Sequence, residues 1–426
     1  MLLDRKTAPE FKQVEKIDFL DVKSQNLANG IKLNYIDGGS QEIVKIDFIF
    51  NAGVWQQTKP LVASTTNALI KEGTKSYSSQ EIAEGIDNYG AFLEVENSFD
   101  TATVILYTLN KHLTKVLPYI KEVVCFPALS EREFNIYKNN AIERFKVNLE
   151  KVSFVARKEF AELIFGNESP YGKNVSLDDY QNLSLNDVRE FHQQYYQLGN
   201  CKILISGKVT DNVLTEINTF FCSEKVNELV INNKEVNSSH QKQNKHYIEK
   251  DGALQSAIRI GRLIPNKLHP DHNGLQVFNT ILGGYFGSRL MSNIREDKGY
   301  TYGIGSGMVS LQNGGYFFIS TEVGADVTKD ALNEIYKEIE LLRTEEISNE
   351  ELDLVKNYML GQFLKSCDGA FNMASLFQSA DGFGLDYSFY DKYIKTIKTI
   401  TPKTIKELGV KYFDKKDLQE VVVGKV

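Results

Sequence analysis

Apolar and polar residues alternate along two stretches near the start of the chain. Positions 31–35 and 44–50 each place apolar side chains at every second residue, and Asp37-Gly38-Gly39 lies between them. Because successive side chains of a strand point to opposite faces, this pattern predicts two strands with one buried face, and the intervening turn residues favour an antiparallel hairpin.

Helical and strand patterns follow one another through the rest of the first half. Pro60 opens a predicted helix that runs to about Lys71 and is closed by Gly73. The remaining periodicities predict helices over 79–89, 113–124, 131–150 and from about 155, and strands over 91–95, 101–109 and 201–206.

The second half repeats this order. Strand patterns at 257–263 and 316–323 are followed by helical patterns at 271–282 and 330–342. ALSEREFNIYKNNAIERF, from Ala128, resembles EISNEELDLVKNYMLGQF, from Glu346, which is 218 positions later. Ile205–Val209 likewise resembles Val422–Val426, at an offset of 217. A nearly constant offset at two distant points predicts an internal duplication, with two α+β halves of one fold.

A polar segment separates the two halves. Residues 223–252 are rich in Asn, Lys, Gln, Ser and Glu and poor in apolar residues, as is typical of an exposed linker. The predicted organisation is therefore an N-terminal half over 1–222, a linker over 223–250 and a C-terminal half over 251–426.

Composition narrows the class of protein. The 426 residues are 42% hydrophobic and 25% charged with a net charge of -7, which argues against a nucleic-acid partner. The first twenty residues lack the apolar core of a secretory signal, although a chain trimmed of its leader would look the same, and no stretch of about 18 apolar residues predicts a membrane span. The cysteines form no CxxC pair, which favours reduced thiols and a cytoplasmic protein: Cys125, Cys201, Cys222 and Cys367.

The segment Leu282–Gly303 concentrates candidate chemistry. Its three early glycines, at 283, 284 and 287, suit a bend or a moving gate, and Ser288 is placed to cap the short helix that follows. Gly299 ends this helix, so Arg295 is predicted near a helix end and Tyr302 near the start of the next strand. A plain glycine loop, with the Arg paired to a nearby carboxylate and the Tyr in a sheet, remains an equal alternative from this segment alone.

Two α+β halves joined by a polar linker, with a helix ending in Glu72-Gly73-Thr74, resemble the insulinase and pitrilysin family of zinc peptidases. The resemblance implies two mostly antiparallel sheets packed with helices, facing each other as a clam shell. In that family the helix carries H-x-x-E-H, whose histidines bind zinc and whose glutamate is the general base on the metal-bound water.

This chain departs from the family at every metal position. Ser64 and Ala68 stand where the histidines would be, and Asn67 replaces the glutamate. The third ligand falls on Ala141, and Glu143 is turned to another face of the helix by two residues. None of the six histidines has an alternative zinc-motif spacing. The sequence therefore predicts no metal site and no catalytic residue in this chain alone.

The resemblance also implies a role for Arg295 and Tyr302. Family members place an Arg and a Tyr seven positions apart, after a glycine-rich segment, across the chamber from the zinc. There the guanidinium grips a peptide carbonyl and the phenol donates to the oxyanion. We therefore expect a non-catalytic, substrate-binding subunit of a heterodimeric zinc peptidase that degrades unfolded peptides. The zinc would be held by a homologous partner chain with H-x-x-E-H.

Two other interpretations remain open at this stage. Some relatives of the family have lost peptidase activity and serve as scaffold subunits, and such a protein has no need of the Arg/Tyr pair. An independent peptidase with an unrecognised site is the third possibility.

Overall fold

Two mixed β-sheets of the same strand order organise the computed structural model, which describes residues 17–224 and 244–425. The first sheet contains β1 (Lys23–Asn26), β2 (Lys32–Asp37), β3 (Ile43–Phe50), β4 (Phe92–Asn97), β5 (Ala102–Leu109) and β6 (Cys201–Gly207). The second contains β7 (Lys245–Glu249), β8 (Gln255–Leu263), β9 (Ile304–Leu311), β10 (Gly314–Gly324) and β11 (Gln419–Gly424).

Helices fill the chain between these strands. In the first half they are α1 (Val62–Leu69), α2 (Ser79–Asp87), α3 (Leu113–Cys125), α4 (Glu131–Leu149), α5 (Val152–Phe165), α6 (Leu177–Asn182), α7 (Leu185–Tyr195) and α8 (Asp211–Phe221). In the second half they are α9 (His272–Asn279), α10 (Thr328–Thr344), α11 (Asn349–Ser366), α12 (Gly369–Asp381), α13 (Ser388–Thr399) and α14 (Pro402–Tyr412). Two π-helical turns, Thr280–Gly284 and Met291–Asp297, follow α9.

The strand orders show that the two halves are copies of one topology. The first sheet runs β1-β2-β6-β3-β5-β4 and the second β7-β11-β8-β10-β9, so the second sheet repeats the first without β1. In each sheet one pair is parallel, β2 with β6 and β7 with β11, and the other pairs are antiparallel. The predicted duplication and the predicted fold class, two mostly antiparallel α+β halves, are confirmed.

Each sheet buries one face under its own helices. Val44, Ile46, Phe48 and Phe50 alternate along β3 and join a core with α1, α3 and α8. In the second half, residues of β8 and β10 pack in the same way against α9, α10 and α14. This alternation is the apolar pattern that is visible in the sequence.

Part of the other face of each sheet is covered by a helix from the opposite half. Helix α5 of the first half packs on β8 and β11, where Phe160 and Phe165 join a core with Val421 and Val423. Helix α12 of the second half packs on β2 and β6 of the first sheet, where Phe377 lies in a cluster with Ile36 and Leu204. The two halves are therefore joined by an exchange of equivalent helices.

Two predictions about local organisation are corrected. The strands 31–35 and 44–50 do not form a hairpin, because β6 lies between β2 and β3 and pairs with both. The predicted linker over 223–250 is too long at its C-terminal end, because Lys245–Glu249 forms strand β7 beside β11. The rest of that linker prediction, over 225–243, lies outside the described residues.

Candidate functional site

Helix α1 carries the positions at which the family motif would place its zinc ligands. Its N-cap, Leu61, has a left-handed backbone with φ of 72°, and the Ser64 hydroxyl donates back to the Leu61 carbonyl at 3.1 Å. Asn67 is buried and donates from Nδ2 to the hydroxyl of Tyr196 at 3.2 Å. The side chain at the general-base position is thus held in a hydrogen bond within the core.

The third ligand position lies on α4, which packs against α1. Ala141 is buried there, whereas Glu143 is exposed and pairs with Lys146 at 2.8 Å, as the helical spacing predicts. The methyl groups of Ala68 and Ala141 offer no lone pair, so these positions do not fit a zinc ion. Within residues 17–224 and 244–425, no three His, Cys, Asp or Glu side chains are grouped so as to hold a metal.

Arg295 and Tyr302 are brought together by the second π-helical turn and the bend after it. Arg295 Nε donates to the Tyr302 carbonyl at 2.9 Å, and its guanidinium lies 4.8 Å from the ring centroid of Phe286. The Tyr302 side chain points outward: the residue is 96% exposed. Its hydroxyl makes no hydrogen bond within the part of the chain that the structure describes. The Arg therefore fixes the backbone of the Tyr and leaves the phenol free.

The segment that carries the pair is firmly anchored to the second half. Arg289 makes a bidentate ion pair with Glu351 of α11, with both N–O distances at 2.8 Å. Asn293 Nδ2 donates to Glu334 at 2.9 Å and Glu338 at 2.7 Å, both on α10. Bidentate and charge-assisted contacts of this kind restrict orientation as well as distance.

The bend that carries Tyr302 is tied to the second sheet by Thr301. The Thr301 hydroxyl donates to the Glu322 carbonyl at 2.7 Å and accepts from the Thr321 hydroxyl at 3.0 Å. Together with the Arg295 contact, these bonds hold the backbone on both sides of the exposed phenol. The aromatic ring is therefore presented from an ordered support.

The glycines of this segment differ from the sequence prediction. Gly283, Gly284 and Gly287 have no left-handed backbone angles, and their role is close packing: a Cβ on Gly283 would lie 2.8 Å from the backbone nitrogen of Ser306. The prediction that Ser288 caps the helix is wrong. Its buried Oγ has no hydrogen-bond partner among the described residues, and the turn begins without a side-chain cap. Gly299, with φ of 66°, ends the turn as predicted.

Sequence reasoning missed Phe286, which lies against the Arg295 guanidinium and is 63% exposed. Leu254, at the turn before β8, is also exposed, and Gln255 beside it lines a hollow of about 350 Å³ with Thr301, Tyr302 and Glu322. The signal for Phe286 was an aromatic residue between glycines, where the chain offers little cover. The exposed surface around the pair thus combines aromatic and hydrogen-bonding groups.

Comparison with protein families agrees with this architecture. The insulinase family, peptidase family M16, matches residues 43–168, and the peptidase M16 inactive domain matches residues 182–359. The first match covers the helix with the degenerate motif, and the second covers the segment with Arg295 and Tyr302.

The chain is similar both to relatives named as zinc proteases and to relatives named as inactive metalloproteases. Zinc protease PqqE of Helicobacter pylori is 23% identical over 367 residues, which are 83% of this chain and 82% of that protein. The probable inactive metalloprotease YmfF of Bacillus subtilis is 23% identical over 308 residues, 70% of this chain and 71% of that protein.

A solved structure shows the same fold. The peptidase M16 inactive domain from Pseudomonas fluorescens superposes with a TM-score of 0.87 at 23% identity and covers 96% of this chain and 99% of its own. The superposition therefore spans both halves of this chain. The chain belongs to the insulinase family, peptidase family M16, and lacks the residues of the family's zinc motif.

Proposed function

We propose that this chain is the non-catalytic subunit of a two-chain zinc peptidase that degrades unfolded peptides. A homologous partner with an intact H-x-x-E-H would hold the zinc and the general base, and this chain would contribute Arg295 and Tyr302. The proposal accounts for a chain that has lost four metal-site residues and still carries an Arg/Tyr pair at the family spacing. Neither group can cleave a peptide without a metal-bound water.

The observation that carries the proposal is the exposure of Tyr302. A tyrosine at 96% exposure contributes almost nothing to a core, yet its backbone is held by Arg295 and Thr301. Because the backbone of Tyr302 is held and its side chain is exposed, the phenol hydroxyl is suited to donate a hydrogen bond to an oxyanion on another molecule. The terminal nitrogens of Arg295, whose side chain is 35% exposed, can contact a peptide carbonyl beside it.

The first test concerns the purified chain alone. It should bind no stoichiometric zinc and cleave no unfolded peptide, because alanine side chains stand at two of the ligand positions. Metal analysis by mass spectrometry that gives one zinc per chain would contradict the proposal. A co-purification experiment with the H-x-x-E-H chain encoded in the same genome then tests the partnership.

In the reconstituted complex, Tyr302→Phe should lower kcat by roughly 100- to 1000-fold, the range for loss of one oxyanion donor. Tyr300→Phe is the matched control. Tyr300 lies two residues earlier in the same segment, and its ring packs against the core of the second half. The control should leave kcat unchanged. Equal rates for wild type and Tyr302→Phe in an active complex would favour the scaffold interpretation instead.

A further inference from the structure

A cavity of about 620 Å³ lies between the two halves. Its first wall is the open face of the first sheet, formed by residues of β3, β4 and β5 beside α12. Its second wall includes the end of α12, the turn after it and the segment between β8 and α9. The volume lies in the range of roughly 300–1,000 Å³ that is usual for ligand pockets, so a small molecule has room to reach the side chains that line it.

Three lysines line this cavity, and two of them are paired with carboxylates. Lys45 Nζ lies 2.9 Å from Asp47 Oδ1, and Lys202 Nζ lies 2.7 Å from Asp381 Oδ2. Lys267, on the second wall, makes no ion pair within the part of the chain that the structure describes. Its charge is therefore the one that no carboxylate among those residues neutralises.

Lys267 lies against hydrogen-bond acceptors and aromatic rings instead. Its Nζ donates to the Ser379 carbonyl at 3.0 Å and to the Ser379 hydroxyl, and it lies 5.4 Å and 5.9 Å from the ring centroids of Phe383 and Phe389. The two oxygens satisfy the two N–H bonds of a neutral amine, whereas the third N–H of an ammonium group has no acceptor among the described residues. At these distances a phenyl ring attracts a cation only weakly, so the rings do not replace the lost hydration.

These surroundings favour the neutral form of the amine. Burial lowers the pKa of Lys267 to about 8, so roughly a quarter of it is neutral at pH 7.5, against about one part in a thousand for an ordinary lysine. His272 lies across Phe389, with 6.2 Å between the ring centroids, and burial lowers its pKa to about 4, so it adds no charge at neutral pH. A lysine that is neutral in an apolar setting is a nucleophile, because its lone pair is free.

We propose that Lys267 is an acylation site whose Nζ takes an acyl group from a small, uncharged thioester. The lone pair of Nζ forms the new N–C bond, the C–S bond of the donor breaks, and the thiolate leaves with the bonding electrons and takes up the proton that the nitrogen loses. The product is an uncharged amide, which suits a position between two phenyl rings without a counter-charge. The site does not involve Arg295 or Tyr302 and does not rest on the proposed function.

The charges around the cavity favour an uncharged donor. Carboxylates outnumber the three lysines among the lining residues, where they are Glu94, Glu96, Asp100 and Asp381. An acyl phosphate is an anion and would meet this excess of negative charge before it reached the amine. A small thioester has no charge to be repelled.

Site-resolved mass spectrometry of the purified full chain tests the proposal. The probe is S-acetyl-N-acetylcysteamine, a small uncharged thioester, at pH 7.5. The lower pKa raises the neutral fraction about 200-fold but also weakens the nucleophile, so we expect Lys267 to be acetylated faster than Lys202 by about tenfold or more. The Lys202 side chain lines the same cavity and is 40% exposed, so poor access would not account for a slower reaction there. Equal rates at the two lysines would overturn the proposal.

The pH and the donor provide two further measurements. The rate at Lys267 should level off above about pH 9, whereas an ordinary lysine gains neutral amine beyond about pH 10. With acetyl phosphate as the donor, the rate at Lys267 relative to Lys403, whose side chain is 75% exposed on α14, should fall. A rate at Lys267 that rises without a plateau would overturn the site, and a preference for acetyl phosphate would overturn the assignment of the donor.

Variants of Ser379 provide a matched pair. Ser379 is exposed on α12, so Ser379→Asp places a carboxylate beside Nζ, and Ser379→Thr keeps the carbonyl and hydroxyl without adding charge. Ser379→Asp should slow acetylation of Lys267 to about the rate at Lys202, and Ser379→Thr should leave it unchanged. An unchanged rate in Ser379→Asp would overturn the proposal. Thermal unfolding identifies a misfolded variant, and in that case the comparison of Lys267 with Lys202 in the wild type decides the proposal.

Discussion

The two sheets share a backbone plan and differ in what lies on their open faces. Asp47 and Arg259 occupy equivalent positions, since they pair with Leu204 and Val421 on the equivalent strands β6 and β11. In the first half Asp47 is fully buried beside Lys45, and burial raises the pKa of its carboxyl group. The first open face is therefore polar and borders a cavity.

The second open face is aromatic and closed. Arg259 lies 4.9 Å from the ring centroid of Phe318 and 5.8 Å from that of Phe160, and the residue equivalent to Lys45 is Ala257. Duplication has preserved strand order and helix placement, which depend on buried apolar spacing. The side chains that face the other half have diverged, because a helix that covers only part of a sheet leaves room for polar groups.

The largest expected effect comes from breaking the buried pair of the first half. Lys45→Met leaves the Asp47 carboxylate buried without its cation, so we expect a loss of about 3 kcal/mol in the free energy of unfolding. Lys45→Met/Asp47→Leu, which removes both charges of the pair together, should lie within about 1 kcal/mol of the wild type. Urea unfolding measures both.

The exposed pair Lys146 and Glu143 provides the control for this prediction. Lys146→Met should cost at most about 1 kcal/mol, because exposed ion pairs contribute little. If Lys45→Met and Lys146→Met cost the same, water reaches the Lys45–Asp47 pair, and the contrast between the two open faces is smaller than the structure indicates.

Lowering the pH should reduce the stability of both halves, through one histidine in each. His192 Nε2 and His272 Nδ1 are buried without a partner in the described residues, and burial lowers the pKa of each ring to about 4. The unfolded chain takes up these protons near pH 6.5, before the folded chain does, so stability falls as the pH drops from 6.5 towards 4. Each histidine should cost about 2 kcal/mol between pH 7 and pH 5.

His192→Phe and His272→Phe test this expectation separately. Each variant should lose about 2 kcal/mol less than the wild type over this pH interval, and the two effects should add because the sites lie in different halves. Urea unfolding at pH 7 and pH 5 gives both values. A variant whose loss matches that of the wild type would show that its histidine is open to solvent.

The smallest expected loss of stability comes from removing a helix cap, and it should be equal in the two halves. Ser130 and Ser348 cap the equivalent helices α4 and α11, accepting from the backbone nitrogens of Glu133 at 3.3 Å and Glu351 at 3.1 Å. Ser130→Ala and Ser348→Ala should each lower the free energy of unfolding by about 1 kcal/mol. Chemical denaturation that gives clearly unequal losses would mean that the equivalent caps are not energetically equivalent.

The sequence was most informative where structure depends on local spacing. The predicted helix over 131–150 agrees closely with α4, which runs from Glu131 to Leu149. The agreement is close because both signals are local: Ser130 caps the helix, and the apolar residues follow a helical period. The internal duplication is visible in the sequence because a capping serine followed by the same apolar spacing recurs at Ser348. The departure from the zinc motif is visible in the sequence, since the motif on α1 depends on residues within about one helix turn.

Contacts between distant parts of the chain could not be predicted in this way. Nothing in positions 31–50 indicates that β6, which begins at Cys201, inserts between the two early strands. The Lys45–Asp47 pair looks like an ordinary polar alternation in the sequence, which does not indicate that both side chains are buried. The placement of Arg295 against Phe286 depends on a π-helical turn, whose extra residue shifts every later side chain around the axis.

The exchange of α5 and α12 also bears on ancestry. A single half would leave the face that receives the helix bare, and its own helix would have no sheet to pack on. Two identical copies could cover both faces by trading that helix across a twofold axis, as in a domain-swapped homodimer. The present chain has this arrangement within one polypeptide, so its two halves need not be identical to each other.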